Sequence, residues 1–347
     1  MKHGGDIYSN IIEHDFSVNI NPLDCRSIVK EIMDESEGKV CNYPDPFQRE
    51  FREAIAAFEG VSVKEVFGGS GASELFLSLV ALIDPKKVML PSPCFVGYEH
   101  ALSIIHGCET VYYQLEEEKD FILDRIFLGA LEYEAVNGLE LLFLTNPNNP
   151  TGKNISKNVL DKTFEICKKY GVKIIVDECF IRLSDNGCSL VSYIKDYDGL
   201  FVVNAFTKLF SIPGIRVGYV ISNSNNIERL PNYMPEWNLS VVAQTAGIIC
   251  SKYLKDSKFE DESKQVIRDE REYLINELRN MGYKVYESDT SFILIYSDTD
   301  ICEYLKEKKV LIRDCSNYKG LKKGFYRIAV KQHEENELLI ELIKKMI

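Results

Sequence analysis

One lysine in this chain has the surroundings of a reactive amine. Lys208 stands among apolar and aromatic neighbours in the stretch 205–210, and Arg216 follows eight residues later. Burial disfavours a charged amine and so lowers the pKa of a lysine. An uncharged amine can attack a carbonyl and form a Schiff base. Most lysines are solvated surface groups, however, so Lys208 alone does not decide the function.

Three further motifs place polar residues or glycines next to apolar stretches. The glycine-rich turn Phe67–Glu74 opens a helix, where free N–H groups and the helix dipole can hold a phosphate. The loop 145–152 fixes Asn149 between an asparagine and a proline, and Asp177 ends an apolar run. A buried carboxylate is costly unless it pairs with a cation. Taken singly, the glycine-rich turn and Asp177 are better explained as a capped turn and a helix N-cap, and the loop 145–152 is explained as well by turn formation as by ligand binding.

The elements around these motifs predict an α/β fold. Helical periodicity appears in 46–58, 72–83, 156–170 and 262–281, and short β-rich runs lie at 87–90, 109–113, 139–144, 173–177 and 200–204. Runs such as 141–144 are apolar on both faces, which is typical of a mostly parallel sheet covered by helices. Ligands of such sheets bind at the carboxyl ends of the strands. The motifs are therefore expected to meet there.

The pattern changes after about residue 250, where a long charged helix precedes strands near 284–286, 292–296, 310–313 and 325–330 and a final helix. We predict a large domain from residues 35–250. Residues 1–34 and 251–347 are predicted to form a smaller α+β domain that closes over the substrate.

The composition and net charge limit the classes of partner and the location that we expect for the protein. The 347 residues carry 41 basic and 53 acidic side chains, a formal charge of −12, so nucleic acid and anionic membranes are not expected. The ten cysteines show no C-x-x-C pair, the first residues lack the apolar core of a signal peptide, and no apolar run reaches about 20 residues. We expect a cytoplasmic protein.

In order and spacing, the four motifs resemble the fold type I superfamily of pyridoxal-phosphate (PLP) aminotransferases. The strings that carry the resemblance are 148–152 (NNPTG), 177–178 (DE) and 207–218, and the likeness extends over essentially the whole chain. It implies that Lys208 holds PLP as a Schiff base and that Asp177 pairs with the pyridine nitrogen. It further implies that Asn149 contacts the phenolic oxygen, that Phe95 stacks on the ring, and that the phosphate is held by Gly71, Ala72, Ser73, Thr207 and Arg216.

The same resemblance implies a homodimer with shared sites, in which Tyr43 reaches the partner's cofactor phosphate. Arg327 would bind the substrate α-carboxylate. Two positions depart from the family pattern. Ala205 replaces a Ser or Thr phosphate ligand, and Phe180 replaces a tyrosine that contacts the phenolic oxygen.

Within the superfamily the chain is similar to threonine-phosphate decarboxylases of cobalamin biosynthesis and to histidinol-phosphate aminotransferases. The segments 3–5, 15–22 and 311–317, together with Phe180, favour the decarboxylase. Both substrate classes carry a phosphate, which Arg313 would hold with His3 and Asn21 closing over it. The alternative is that His3 belongs to a frayed terminus and Arg313 to a surface ion pair.

Other classes fit the sequence less well. The turn 68–72 nearly matches the G-x-S-x-G elbow of serine hydrolases, but its last glycine is alanine. A non-catalytic PLP-binding regulator would need a nucleic-acid-binding domain, for which there is neither spare length nor a basic patch. The five histidines lack the spacing of metal ligands, so no metal is expected.

Overall fold

The fold is built on thirteen strands among the residues that the computed structural model describes, 4–9 and 11–346. They are β1 (His14–Asp15), β2 (Val66–Gly69), β3 (Lys87–Ser92), β4 (Glu109–Gln114), β5 (Leu141–Thr145), β6 (Lys173–Asp177), β7 (Leu200–Asn204), β8 (Gly218–Ile221), β9 (Lys284–Tyr286), β10 (Phe292–Tyr296), β11 (Val310–Leu311), β12 (Arg313–Asp314) and β13 (Phe325–Ala329).

Eleven α-helices lie between these strands in the same part of the chain. They are α1 (Arg26–Glu37), α2 (Arg49–Glu59), α3 (Ala72–Ile83), α4 (Gly97–Leu102), α5 (Arg125–Val136), α6 (Lys157–Tyr170), α7 (Ser224–Arg229), α8 (Val241–Asp256), α9 (Phe259–Asn280), α10 (Ile301–Glu307) and α11 (His333–Lys344). None of these helices is long and apolar enough to cross a bilayer.

The large sheet has seven strands in the order β2-β8-β7-β6-β5-β3-β4. Strands β7, β6, β5, β3 and β4 run parallel, and β8 is antiparallel to both of its neighbours. This mixed, mostly parallel sheet confirms the predicted α/β class. The reversal at β8 brings the turn after β2 next to the carboxyl ends of the parallel strands.

The apolar strands are buried on both faces, as their composition predicted. In β5, Leu142 and Leu144 join the core cluster beneath α5 and α6, whereas Leu141 and Phe143 join the cluster beneath α3 and α4. Successive strand residues point to opposite faces, so an uninterrupted apolar run fits a sheet that helices cover on both sides. The sheet is therefore a rigid support for the loops at its carboxyl edge.

A smaller unit follows α8. Strands β12-β13-β10-β9 form an antiparallel sheet, and β1 pairs in parallel with β11. A separate core cluster holds residues of α9, α10, α11 and this sheet, together with Phe16 from the N-terminal segment. Helix α1 packs on α8, and its Ile28 and Ile32 belong to the core of the large sheet. The division of the chain at residues 34/35 and 250/251 remains a prediction, and this packing places α1 with the large unit.

Strands β2 and β8 were not predicted. The sequence of residues 66–69 predicts a glycine-rich turn, yet in the structure the segment is a strand that pairs with β8 along its whole length. A Cβ at Gly68 would collide with Phe51 and Leu239, and one at Gly69 with Leu75. The glycines therefore allow close packing within a strand, a contact between distant residues that local composition does not reveal.

Candidate active site

A cavity of about 340 Å³ lies between the carboxyl edge of the large sheet and the small antiparallel sheet. Most of the predicted site residues line it: Gly71, Ala72, Ser73, Phe95, Asn149, Asp177, Thr207, Lys208, Arg216, Arg313 and Arg327. We call Gly71–Ser73, Asp177, Lys208 and Arg216 the sheet half, because each lies at or near an end of a strand of the large sheet. Asn19, Arg313, Tyr318 and Arg327 form the arginine half.

Lys208 follows β7 and presents its amine to the cavity. Burial lowers the pKa of the Lys208 ammonium to about 8, and the positive charge of Arg327 acts in the same direction. The Nζ atom lies 5.8 Å from the centre of the Phe180 ring. An amine with this pKa is partly uncharged at neutral pH and can act as a nucleophile.

Asp177, the last residue of β6, is held from two sides. Its Oδ1 accepts a hydrogen bond from the backbone N–H of Cys179 (2.9 Å), and its Oδ2 accepts one from the hydroxyl of Tyr98 (2.7 Å). The Tyr98 hydroxyl also contacts the Thr145 hydroxyl at 2.8 Å. Burial raises the pKa of Asp177, and these hydrogen bonds oppose the rise. No ion pair within residues 4–9 and 11–346 neutralises this carboxylate, so the site fits a ligand with a cationic ring nitrogen.

Helix α3 begins at the cavity wall beside Arg216. Gly71 precedes the helix with φ = 79°, and a Cβ there would collide with the Arg216 guanidinium. Arg216 itself has φ = 61°, a left-handed conformation that is rare for arginine. A Cβ at Gly218 would lie 3.0 Å from the backbone nitrogen of Ala72. A helix N-terminus and a guanidinium held this closely form a cradle for a phosphate.

The two arginines of the arginine half lie directly opposite each other on β12 and β13. Both are buried, with 5% of Arg313 and 6% of Arg327 exposed. Arg327 donates from one terminal nitrogen to Oδ1 of Asn149 (2.5 Å) and from the other to the carbonyl of Ser17 (2.9 Å). Its Nε is buried and has no hydrogen-bond partner among the described residues. Two buried guanidiniums on one wall suit a ligand that carries anionic groups.

Sequence reasoning missed three residues. Asn19 and Tyr318 belong to the arginine half, and Tyr98 supports the Asp177 carboxylate. Asn19 lines the cavity and is 2% exposed, and its Oδ1 is unpartnered within the described part of the chain. Asn21 does not line the cavity, because its side-chain N–H groups donate to Leu209 O and Ser263 Oγ. The structure therefore places Asn19, and not Asn21, at the cavity wall, and the geometry gives no support to the substrate contact predicted for Asn21.

Two predicted residues lie elsewhere. His3 falls outside the described residues, although Gly4 lines the cavity. Tyr43 is 80% exposed and packs its ring against Trp237 at 4.7 Å between centroids, away from the cavity. Within this single chain Tyr43 has no role in the site, and a role across a dimer interface remains a prediction.

The comparisons with known proteins agree with this geometry. The model of the aminotransferase class I and II family matches residues 12–343. The chain belongs to this family. It is 34% identical, over 99% of its length and 93% of the relative, to a Caldanaerobacter subterraneus protein that carries the provisional name threonine-phosphate decarboxylase.

Two further relatives point to the second branch. The chain is 32% identical to the histidinol-phosphate aminotransferase of Thermoanaerobacter pseudethanolicus, over 92% of the chain and 88% of that protein. The crystal structure of the histidinol-phosphate aminotransferase from Clostridium acetobutylicum superposes with a TM-score of 0.86 at 28% identity, over 96% of this chain and 99% of that one. The chain is therefore a PLP-dependent lyase or aminotransferase, which confirms the predicted family and cofactor.

Proposed function

We propose that the sheet half holds PLP in the manner that the family resemblance implies. Lys208 would bind the cofactor covalently, Asp177 would pair with its ring nitrogen, and Phe95 would lie against its ring. Gly71–Ser73, Thr207 and Arg216 would hold the phosphate. The Asp177 carboxylate and the cradle between α3 and Arg216 support this assignment, because neither forms an ion pair within the part of the chain that the structure describes, and PLP would bring a counter-charge to each. Asn149 uses Oδ1 for Arg327, which leaves its N–H groups to donate to the phenolic oxygen.

We further propose that the enzyme decarboxylates L-threonine O-3-phosphate and releases carbon dioxide and an aminopropanol phosphate, a step of cobalamin biosynthesis. The observation that carries this proposal is the pair Arg313 and Arg327, buried side by side on adjacent strands. This substrate has two anionic groups close together, a carboxylate on Cα and a phosphate one carbon further along. A guanidinium suits both groups, since its planar fork can donate two hydrogen bonds to either.

Arg327 is assigned to the carboxylate and Arg313 to the phosphate. Arg327 contacts Asn149 beside the Lys208 region, so the carboxylate would lie near the reacting carbon. When bound, PLP supplies a sink for the electron pair that remains at Cα after a bond breaks. In decarboxylation the bond from Cα to the carboxylate breaks and carbon dioxide leaves. Lys208, with its pKa of about 8, is the group that can deliver the proton that Cα then needs, because its ammonium form gives up a proton and becomes the neutral amine.

Asn19 supports the same site. Asn19 lines the cavity, its Oδ1 has no partner among the described residues, and a buried amide oxygen without a partner is costly. A bound phosphoamino acid offers both donors and acceptors to such an amide. We propose that Asn19 completes the substrate contacts, in the place that the sequence assigned to Asn21.

The second candidate function is transamination of histidinol phosphate. The identity to the Thermoanaerobacter aminotransferase and the superposition with the Clostridium structure favour it. Both reactions use the same sheet half and differ in which bond at Cα is broken. The Phe180 ring stands beside Lys208 and brings no hydroxyl to the cofactor. Many aminotransferases of the superfamily that this chain resembles carry a tyrosine at this position. The phenylalanine found here therefore favours the decarboxylase.

One experiment separates the two candidates. The holoenzyme is incubated with L-threonine O-3-phosphate alone and, separately, with histidinol phosphate and 2-oxoglutarate. The proposal requires carbon dioxide and aminopropanol phosphate from the first mixture without any keto acid. Glutamate from the second mixture, with no carbon dioxide from the first, would establish the aminotransferase instead.

A further inference from the structure

Tyr318 lies between the two arginines of the cavity. Its ring is 5.3 Å from the guanidinium carbon of Arg313. Its hydroxyl is 3.4 Å from Oδ1 of Asn149 and 3.5 Å from a terminal nitrogen of Arg327. One side chain therefore contacts one arginine with its ring and reaches the other with its hydroxyl.

The Tyr318 ring is held firmly in this position. Only 3% of the residue is exposed, and the ring belongs to a cluster with Leu115, Tyr286, Leu294 and Phe325. Backbone hydrogen bonds from Tyr318 N to Cys315 O and from Leu321 N to Tyr318 O, both 3.0 Å, fix the turn that carries it. A ring that is packed against residues of both units can act as a spacer.

The two guanidiniums need such a spacer. Side chains directly opposite on an antiparallel pair stand with their Cβ atoms about 4.5–5.5 Å apart, and like charges in that position repel each other. Arg313 also donates to Oδ1 of Asn317 at 2.8 Å, and Arg327 is tied to Asn149 and Ser17. These bonds anchor each guanidinium, while Tyr318 contacts Arg313 with its ring and Arg327 with its hydroxyl.

We propose that Tyr318 is a positioning residue that fixes the separation of the Arg313 and Arg327 guanidiniums and thereby selects substrates by the distance between their two anionic groups. This inference rests on the proposed function, in which the two arginines hold a carboxylate and a phosphate. A substrate with one more methylene between these groups would place its phosphate beyond Arg313. The ring prevents Arg313 from moving to meet it.

The test compares Tyr318→Phe with Tyr318→Leu in the holoenzyme, using L-threonine O-3-phosphate and the longer O-phospho-L-homoserine. Tyr318→Phe keeps the spacer, so the preference for the shorter substrate in kcat/KM should stay as in the unaltered enzyme. Its kcat should fall about fivefold, because Arg327 and Asn149 lose a hydrogen-bonding partner. Tyr318→Leu should lower the preference at least about tenfold, the scale on which a pocket discriminates one methylene.

A matched control is Tyr296→Leu, which removes a ring beside the same cluster without touching either arginine. It should leave the preference unchanged. An unchanged preference in Tyr318→Leu, or an equal loss in Tyr296→Leu, would overturn the proposal. If Tyr318→Leu does not fold, Tyr318→Phe still decides, since a lost preference with the ring in place contradicts the spacer role.

Binding measurements keep this inference separate from the proposed reaction. The change in the visible absorption of bound PLP gives the Kd of each phosphoamino acid without turnover. If the unaltered enzyme releases no carbon dioxide, the decarboxylase proposal fails, yet the ratio of the two Kd values in Tyr318→Leu still tests the spacer. An unaltered enzyme that binds both phosphoamino acids equally would overturn the inference about Tyr318.

Discussion

The two halves of the cavity are built in different ways. The sheet half consists of residues at or near the ends of strands of one sheet, and its Asp177 is held by Tyr98, which in turn contacts Thr145. The arginine half joins segments about 300 residues apart in the chain, as in the bond between Arg327 and Ser17. Its Arg327 Nε and Asn19 Oδ1 are unpartnered among the described residues. The sheet half is thus suited to a permanent ligand and the arginine half to one that comes and goes.

The largest expected effect is the loss of the lysine in the sheet half. Lys208→Ala should abolish activity and remove the visible absorption of covalently bound PLP, because no other described amine lines the cavity. The control is Lys344→Ala, whose ammonium pairs with Glu277 far from the site. A Lys208→Ala enzyme that still turns over would disprove the assignment.

A second change tests whether charge or shape matters at Asp177. Asp177→Asn keeps the shape and removes the charge proposed to keep the cofactor ring protonated. Since an adjacent opposite charge shifts a pKa by about 1–3 units, kcat should fall by orders of magnitude while the thermal unfolding temperature stays near that of the unaltered protein. Near-normal turnover would mean that Asp177 serves only to cap the turn at Cys179 by a hydrogen bond.

Replacing each arginine of the arginine half should have a different effect on KM and kcat. Arg313→Ala should raise KM for threonine phosphate about 10- to 150-fold, which corresponds to a charge-assisted hydrogen bond of about 1.5–3 kcal/mol. Arg327→Ala should also lower kcat, because the carboxylate is no longer aimed for cleavage. Arg279→Ala, which removes a surface ion pair with Glu287, is the control. Identical profiles for the two cavity variants would mean that the arginines do not hold separate groups.

The electrostatic coupling between the sheet half and the arginine half can be measured from the pH dependence of PLP binding. Reconstitution of the apoenzyme with PLP requires the uncharged Lys208 amine, so its rate should rise with pH and reach half its maximum near pH 8, where the pKa of Lys208 lies. The positive charge of Arg327 lowers this pKa, so Arg327→Ala should move the midpoint to higher pH. The same midpoint in Arg327→Ala as in the unaltered enzyme would show that the two halves are electrostatically independent.

The smallest effect is expected at Tyr43, outside both halves. If Tyr43 donates to a partner's cofactor phosphate, Tyr43→Phe should weaken PLP retention by about 1 kcal/mol, the net value of one hydrogen bond. Sedimentation should give a dimer, and the stacking on Trp237 should survive in the variant. A fully active monomer would contradict the shared site.

Sequence reasoning identified the sheet half better than the arginine half, and the reason is physical. Asp177 ends a continuous apolar run and Lys208 comes four residues after another, so their place at the carboxyl edge follows from the fold class. Gly71–Ser73 and Arg216 lie next to β2 and β8, strands that the sequence did not predict, and only their order along the chain identified them. Asn19 and Asn21 cannot be separated in this way, because the segment bends where Ile20 N donates to Val18 O. Tyr98 and Tyr318 act through contacts with residues distant in sequence, which leave no local pattern.

The N-terminal segment has a consequence for how the enzyme is made. Phe16 O accepts from Ala329 N, Ser17 O accepts from Arg327, and β1 pairs with β11. During synthesis, residues 14–17 leave the ribosome long before residues 310–329 exist to meet them. The large sheet can fold while this segment waits, since domains generally fold as units in order of synthesis. The arginine half therefore forms only after residues 310–329 have been synthesised, whereas every residue of the sheet half has been made about 100 residues earlier.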